Sequence, residues 1–151
     1  MKLSTLAVIT ALTFCVQDET LTLFARPKHK ALISLGESID AVRRKYGELA
    51  CTNVASTPRI WVLGSDLTLT EQAGVVSRVK FFSKSFLVFG VSVGDRRDKV
   101  VRTLGPPSEM QYLEHDPKNF YAYRYKTRSL EVVFDGTWHV AIIRLDSQLG
   151  P

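Results

Sequence analysis

Metal-ligating and redox side chains are scarce in this chain of 151 residues. Cys15 and Cys51 are the only cysteines, and no Cys-x-x-Cys occurs, which excludes a cysteine zinc cluster and a dithiol redox motif. His29, His115 and His139 stand far apart with no His-Glu-x-x-His spacing, so neither a metal nor a cofactor is expected. Basic residues form no tail, and the longest basic run is Arg43-Arg44-Lys45. The longest mostly apolar stretch, residues 3–16, spans only about 21 Å as a helix, too short for a hydrocarbon core of about 30 Å. Hydrophobic residues at 45% and charged residues at 23% exclude disorder, collagen-like, coiled-coil and polytopic membrane architectures.

The length suits one ordinary domain or two very small fused ones. The charge, 20 basic against 15 acidic residues, leans mildly toward an anionic partner: headgroups, nucleic acid or an acidic protein. Met1-Lys2 followed by the apolar stretch to Val16 has the order and length of a secretory leader, and export is expected. Cys15 is a weak candidate for lipidation: Leu12 suits the position three before it, but Phe14 is large for the position directly before it. The competing reading makes residues 3–16 a buried helix or strand of a cytosolic domain.

An internal repeat organises the remainder. Residues 32–47 and 90–105 align without a gap at an offset of 58, with six identities in sixteen positions: Ser34/Ser92, Gly36/Gly94, Asp40/Asp98, Val42/Val100, Arg44/Arg102 and Gly47/Gly105. Each copy reads as an extended apolar piece, a glycine and a short helix. The apolar stripes are Ile39, Val42 and Tyr46 in one copy, and Val100, Val101 and Leu104 with the Arg97 stem in the other. Asp95 and Ser38 are candidate caps, and Gly47 and Gly105 are placed to end the helices. Strands are expected over 59–63, 67–70 and 75–82, and again over 120–126, 129–134 and 137–145, where Asp135-Gly136 is a strong hairpin signal. Residues 48–58 and 106–119 fit either a second short helix or a loop. The expected fold class is α+β: two tandem repeats of helix plus three-stranded antiparallel meander, with helices packed on one sheet face. The expected segments are a signal or anchor at 1–16, an extension at 17–31, and repeats at 32–83 and 84–147 that share one core.

The run Val91-Ser92-Val93-Gly94, then Val101 and Leu104-Gly105-Pro106-Pro107, then Tyr123-Arg124-Tyr125 and Leu130 to Gly136, resembles the SmpA/OmlA (BamE-like) domain of envelope lipoproteins. The tandem arrangement is similar to that of beta-lactamase inhibitor proteins. The resemblance implies an envelope or secreted, non-enzymatic protein-binding module.

Other chemistry competes with that reading. Gly90-Val91-Ser92-Val93-Gly94 matches the nucleophile-elbow pattern, and Asp116 or Asp135 and then His139 follow in hydrolase order. A small serine hydrolase using Ser92 and His139 is therefore the alternative. Against it stand the missing strand–helix alternation upstream, the missing oxyanion segment, and the recurrence of Ser-x-Gly at Ser34 and Gly36. A cytosolic module binding an acidic partner is the third reading. Tyr121, Tyr123 and Tyr125 alternate along one strand and share a face. With Trp61, Trp138, Arg44, Arg97 and Arg102 they are the candidate residues for a protein partner or an anionic membrane surface. Nucleic acid is not the expected partner, because no RNP-like or OB-type pattern surrounds the aromatic strand.

Overall fold

A computed structural model describes residues 29–30, 33–47, 49–55, 57–115 and 118–150. Among these residues the strands are β1 (His29–Lys30), β2 (Ala50–Cys51), β3 (Arg59–Leu63), β4 (Leu67–Gln72), β5 (Val75–Phe81), β6 (Phe86–Leu87), β7 (Glu109–His115), β8 (Lys118–Tyr125), β9 (Leu130–Phe134) and β10 (Val140–Asp146). Among the described residues, two helices of eight residues each, α1 (Ile39–Tyr46) and α2 (Arg97–Leu104), and two short 3₁₀ turns accompany the strands. Eight strands form one antiparallel sheet in the order β2-β3-β4-β5-β10-β9-β8-β7, while β1 and β6 pair in parallel apart from it.

These findings correct the expected fold class. The meanders do not form two helix-plus-three-strand units. Residues 48–58 and 106–119, left undecided in sequence, contribute β2 and β7, and β5 pairs with β10 to make the sheet continuous. The chain is therefore sheet-dominated. The expectations for residues 1–16, including Cys15, lie outside the described residues.

Alternation decides which side chains meet the helices. In β4 and β5, Leu67 and Leu69 face Phe81 and Val79 across the ladder. Ile143 and Leu145 of β10 continue the same face beside Phe81 and Val79, and Val132 and Leu130 of β9 lie beside them. All are buried, and with Val42 of α1 and Val100 of α2 they belong to a single core that spans both halves. Each helix thus buries one stripe and leaves its basic residues in solvent.

The approach to each helix repeats in detail. Gly36 and Gly94 have φ of 80° and 85°, a region open to glycine at little cost. Their N–H groups donate to Val76 O at 2.8 Å and Val140 O at 2.7 Å. Ser34 N donates to the Glu37 carboxylate at 3.2 Å, and Ser92 N to the Asp95 carboxylate at 2.8 Å. Lys45 and Lys99 pair with those same carboxylates. Asp95 is thus occupied by the turn, and α2 has no side-chain cap, whereas Ser38 caps α1 by accepting from Ala41 N. Gly47 and Gly105 close the helices by donating to Arg43 O and Val101 O.

The sheet face away from the helices carries a row of polar side chains. Register places Thr68, Lys80, Arg144, Glu131, Arg124 and Glu109 side by side across six strands. Glu131 is 2% exposed and accepts from Arg124 Nε at 2.8 Å and from the Arg144 guanidinium. Arg124 also reaches Glu109 at 3.3 Å, and Arg78 pairs with the buried Asp146 at 2.6 Å. Glu131→Gln removes the shared charge and leaves two half-buried guanidiniums facing each other. A loss of about 3–5 kcal/mol in denaturant unfolding is expected, and a loss under about 1 kcal/mol would show that the row is solvated like an ordinary surface pair.

Candidate binding surface

At the β7 end of the sheet, aromatic and basic side chains gather on the helix side. The β7–β8 register sets Tyr112 opposite Tyr121 and Met110 opposite Tyr123. The Tyr112 and Tyr121 rings lie 5.3 Å apart, and Tyr121 stacks on Trp138 at 4.2 Å with 20° between the planes. Trp138 also meets Phe134 at 6.1 Å and so ties the surface stack to the core. The Arg97 guanidinium, from the first position of α2, sits 4.9 Å from the Trp138 ring and 5.7 Å from the Tyr123 ring. Met110 and Tyr112 are 68% and 51% exposed, so the stack opens to solvent at the edge strand.

Trp138 is held by the turn that Asp135-Gly136 forms. Its φ is 63°, an uncommon conformation for a bulky residue. The Asp135 carboxylate accepts from Thr137 N at 2.9 Å, Thr137 Oγ1 at 2.7 Å and His139 N at 3.1 Å. Arg97 N donates to Trp138 O at 3.0 Å, which fastens the turn to the start of α2. Burial pushes the Asp135 carboxyl up, but the Thr137 hydroxyl and the two backbone N–H groups outweigh it. The net position is below the usual carboxylate range.

The expected contact residues divide. Tyr121, Trp138 and Arg97 come together. Tyr123 and Tyr125 are 3% and 4% exposed and are core residues, the latter with its hydroxyl on Gly105 O at 3.3 Å. Burial raises the Tyr125 phenol above its usual range. Trp61 lies in the other half, its Nε1 donating to Glu71 at 2.7 Å, with Arg43 rather than Arg44 over its ring at 5.2 Å. Arg44 and Arg102 are exposed on α1 and α2. Met110 and Tyr112 were missed because they lie in the undecided 106–119 segment; the alternation Met110-x-Tyr112 was the available signal.

The hydrolase constellation does not form as spaced. Ser92 is fully buried, and its hydroxyl lies 2.8 Å from Phe86 O and 3.1 Å from Lys84 O. His139 Nδ1 meets Thr137 Oγ1 at 2.9 Å. Asp116 lies outside the described residues. Among the described residues no cluster of three His, Cys, Asp or Glu could hold a metal, no helix is long and apolar enough to cross a membrane, and Cys51 is a free thiol.

No protein-family model matches the chain, and no curated protein sequence does. Among solved structures, the chain is similar to an extracellular protein containing an SCP domain from Bacillus anthracis, at 12% identity and a TM-score of 0.55. The match covers 81% of this chain and 47% of that one, so this chain spans under half of that neighbour's length. A DUF4309 family protein from Bacillus subtilis matches at 16% identity and a TM-score of 0.47, over 72% of this chain and 77% of that one. At these identities the first likeness concerns the fold alone. The resemblance to the SmpA/OmlA domain and to the inhibitor proteins is thereby corrected: the structural likeness found is to another protein, and the architecture is one wide sheet.

Two outcomes are expected. A fluorophosphonate should leave Ser92 unlabelled, while Ser92→Ala should cost about 1–3 kcal/mol of stability by orphaning carbonyls in the core; labelling at Ser92 on the intact protein would revive the hydrolase. Because the folded pKa of Asp135 is lowered, its contribution to stability is present above the ordinary aspartate value and is lost as pH falls through the lowered one. Asp135→Asn should therefore flatten the acid limb of the stability–pH curve, and a limb superimposable on that of wild type would contradict the assignment.

Proposed function

We propose that this chain is a non-enzymatic binding module that acts outside the cytoplasm and takes a protein partner on the Arg97–Trp138–Tyr121–Tyr112 surface. The observation that carries the reading is the continuous stack from the core through Trp138 and Tyr121 to the exposed Tyr112, with Arg97 over it. Trp, Tyr, Arg and Met are the residue types enriched where protein interfaces carry their energy. Rings already stacked lose little side-chain freedom on association, so the ordering cost of binding is small. The exposed Met110 and Tyr112 lie on an edge strand, where a partner reaches them without moving a helix. Action outside the cytoplasm is supported by the leader-like residues 1–16 and by the neighbour of similar fold, which is described as extracellular. The absence of chemistry is supported by the burial of the Ser92 hydroxyl against carbonyls.

The test is site-specific cross-linking in the native host. A photoreactive side chain at position 112 should capture one defined protein from the extracytoplasmic fraction, and the same group at position 68, on the far face, should not. Tyr112→Ala and Arg97→Glu, both at exposed positions, should each weaken affinity for that protein about tenfold or more while leaving thermal stability nearly unchanged. Equal capture at both positions, or full affinity in both variants, would defeat the proposal.

A further inference from the structure

We propose that the sheet face opposite the helices holds a separate site for a monoanionic amphiphile, a medium-chain carboxylate. A cavity of about 430 Å³ lies on that face, a size typical of small-ligand sites. Leu113, Phe120, Val133 and Ile142 supply its apolar wall, and Lys80, Arg124, Arg144 and Glu131 close its charged end. Glu114, exposed, also borders it.

Its charge distribution selects the ligand. Register sets Lys80 directly beside Arg144, a like-charge pair that is unfavourable on a sheet unless an anion is shared. Glu131 answers Arg144 and Arg124, and Glu109 answers Arg124 again. Lys80 is half-buried and pairs with no carboxylate among the described residues; its other cross-strand neighbour is Thr68. The buried Arg144 Nε also lacks a hydrogen-bond partner among the described residues. The Lys80 ammonium thus stays unanswered beside the Arg144 guanidinium, whose side chain is only partly covered, and the two cations side by side suit a carboxylate head with two acceptor oxygens. Lys126 also reaches Glu109 at 3.7 Å, so four cations (Lys80, Arg124, Arg144 and Lys126) against three carboxylates (Glu131, Glu109 and Glu114) leave one positive charge to be met; a monoanion balances the wall, and a dianion would be repelled by Glu131 and Glu114. The apolar wall, two and more residues further along the strands from this row, takes the hydrocarbon chain.

The test is isothermal titration of the full chain with decanoate below its aggregation threshold, with decanol and decyltrimethylammonium as controls of equal chain length. Decanoate should bind saturably to a single site. Decanol should bind about tenfold or more weakly, and the cation not measurably. Lys80→Met should reduce decanoate to the decanol level and leave decanol unchanged, whereas Ile142→Asp should weaken both. Amide shift mapping of the wild-type protein gives an independent readout, expected on β8, β9 and β10. Wild-type protein without saturable decanoate binding, equal affinity for decanoate and decanol, full decanoate affinity in Lys80→Met, or shifts confined to α1 and α2 would each overturn the site.

Discussion

The antiparallel pairing of β5 with β10 is the constraint from which the rest of the molecule follows. Only four residue pairs define it, from Ile143 with Phe81 to Asp146 with Arg78. Those pairs join two strand sets that are distant in sequence into one sheet. A slip of one residue would turn Phe81, Val79, Ile143 and Leu145 away from the helices and drive Lys80, Arg144 and Asp146 into the core. The register is therefore held by both faces at once. The apolar face is stabilised by burial, and the polar face punishes any alternative by stranding charge.

The same register explains why two such different surfaces occur on one small chain. On the helix side, Met110 and Tyr112 of the edge strand β7 stay exposed, and aromatic rings stack from that margin toward the core. On the other side neither α1 nor α2 packs, and among the described residues an ion-paired row lies across the strands instead. Long charged side chains can cover apolar strands with their stems while their heads stay solvated. That cover is complete where Glu131 bridges two arginines and incomplete at Lys80, and the cavity lies beside Lys80.

Much of the local structure was legible. The helices start and end near the repeated Gly36/Gly94 and Gly47/Gly105, because a positive φ and a helix stop both select glycine. Six strands lie where alternation and turn residues place them, and Asp135 builds its turn from its own side chain. β2 and β7 were not legible. β2 has only two residues, and β7 has a mixed pattern because, as an edge strand, it buries little on either side. Tyr123 and Tyr125 share a face with Tyr121, as period two requires, but which of the three reaches solvent depends on tertiary packing: Tyr121 stays partly exposed between Tyr112 and Trp138 while the other two are buried.

By itself the sequence determined the recurring glycine–acid–helix turn, the positions of most strands, the buried stripes and the lack of metal-site motifs. Each of these is a matter of local conformational preference or residue type, which a short window contains. Only the tertiary structure decided that the strands make one sheet rather than two units, that Ser92 is a buried turn residue, that Arg97 and not Arg102 covers Trp138, and that Lys80 lies beside Arg144. All four depend on contacts between residues far apart in the chain, whose closure is set by the total burial and charge balance of the assembled sheet and not by any segment of it.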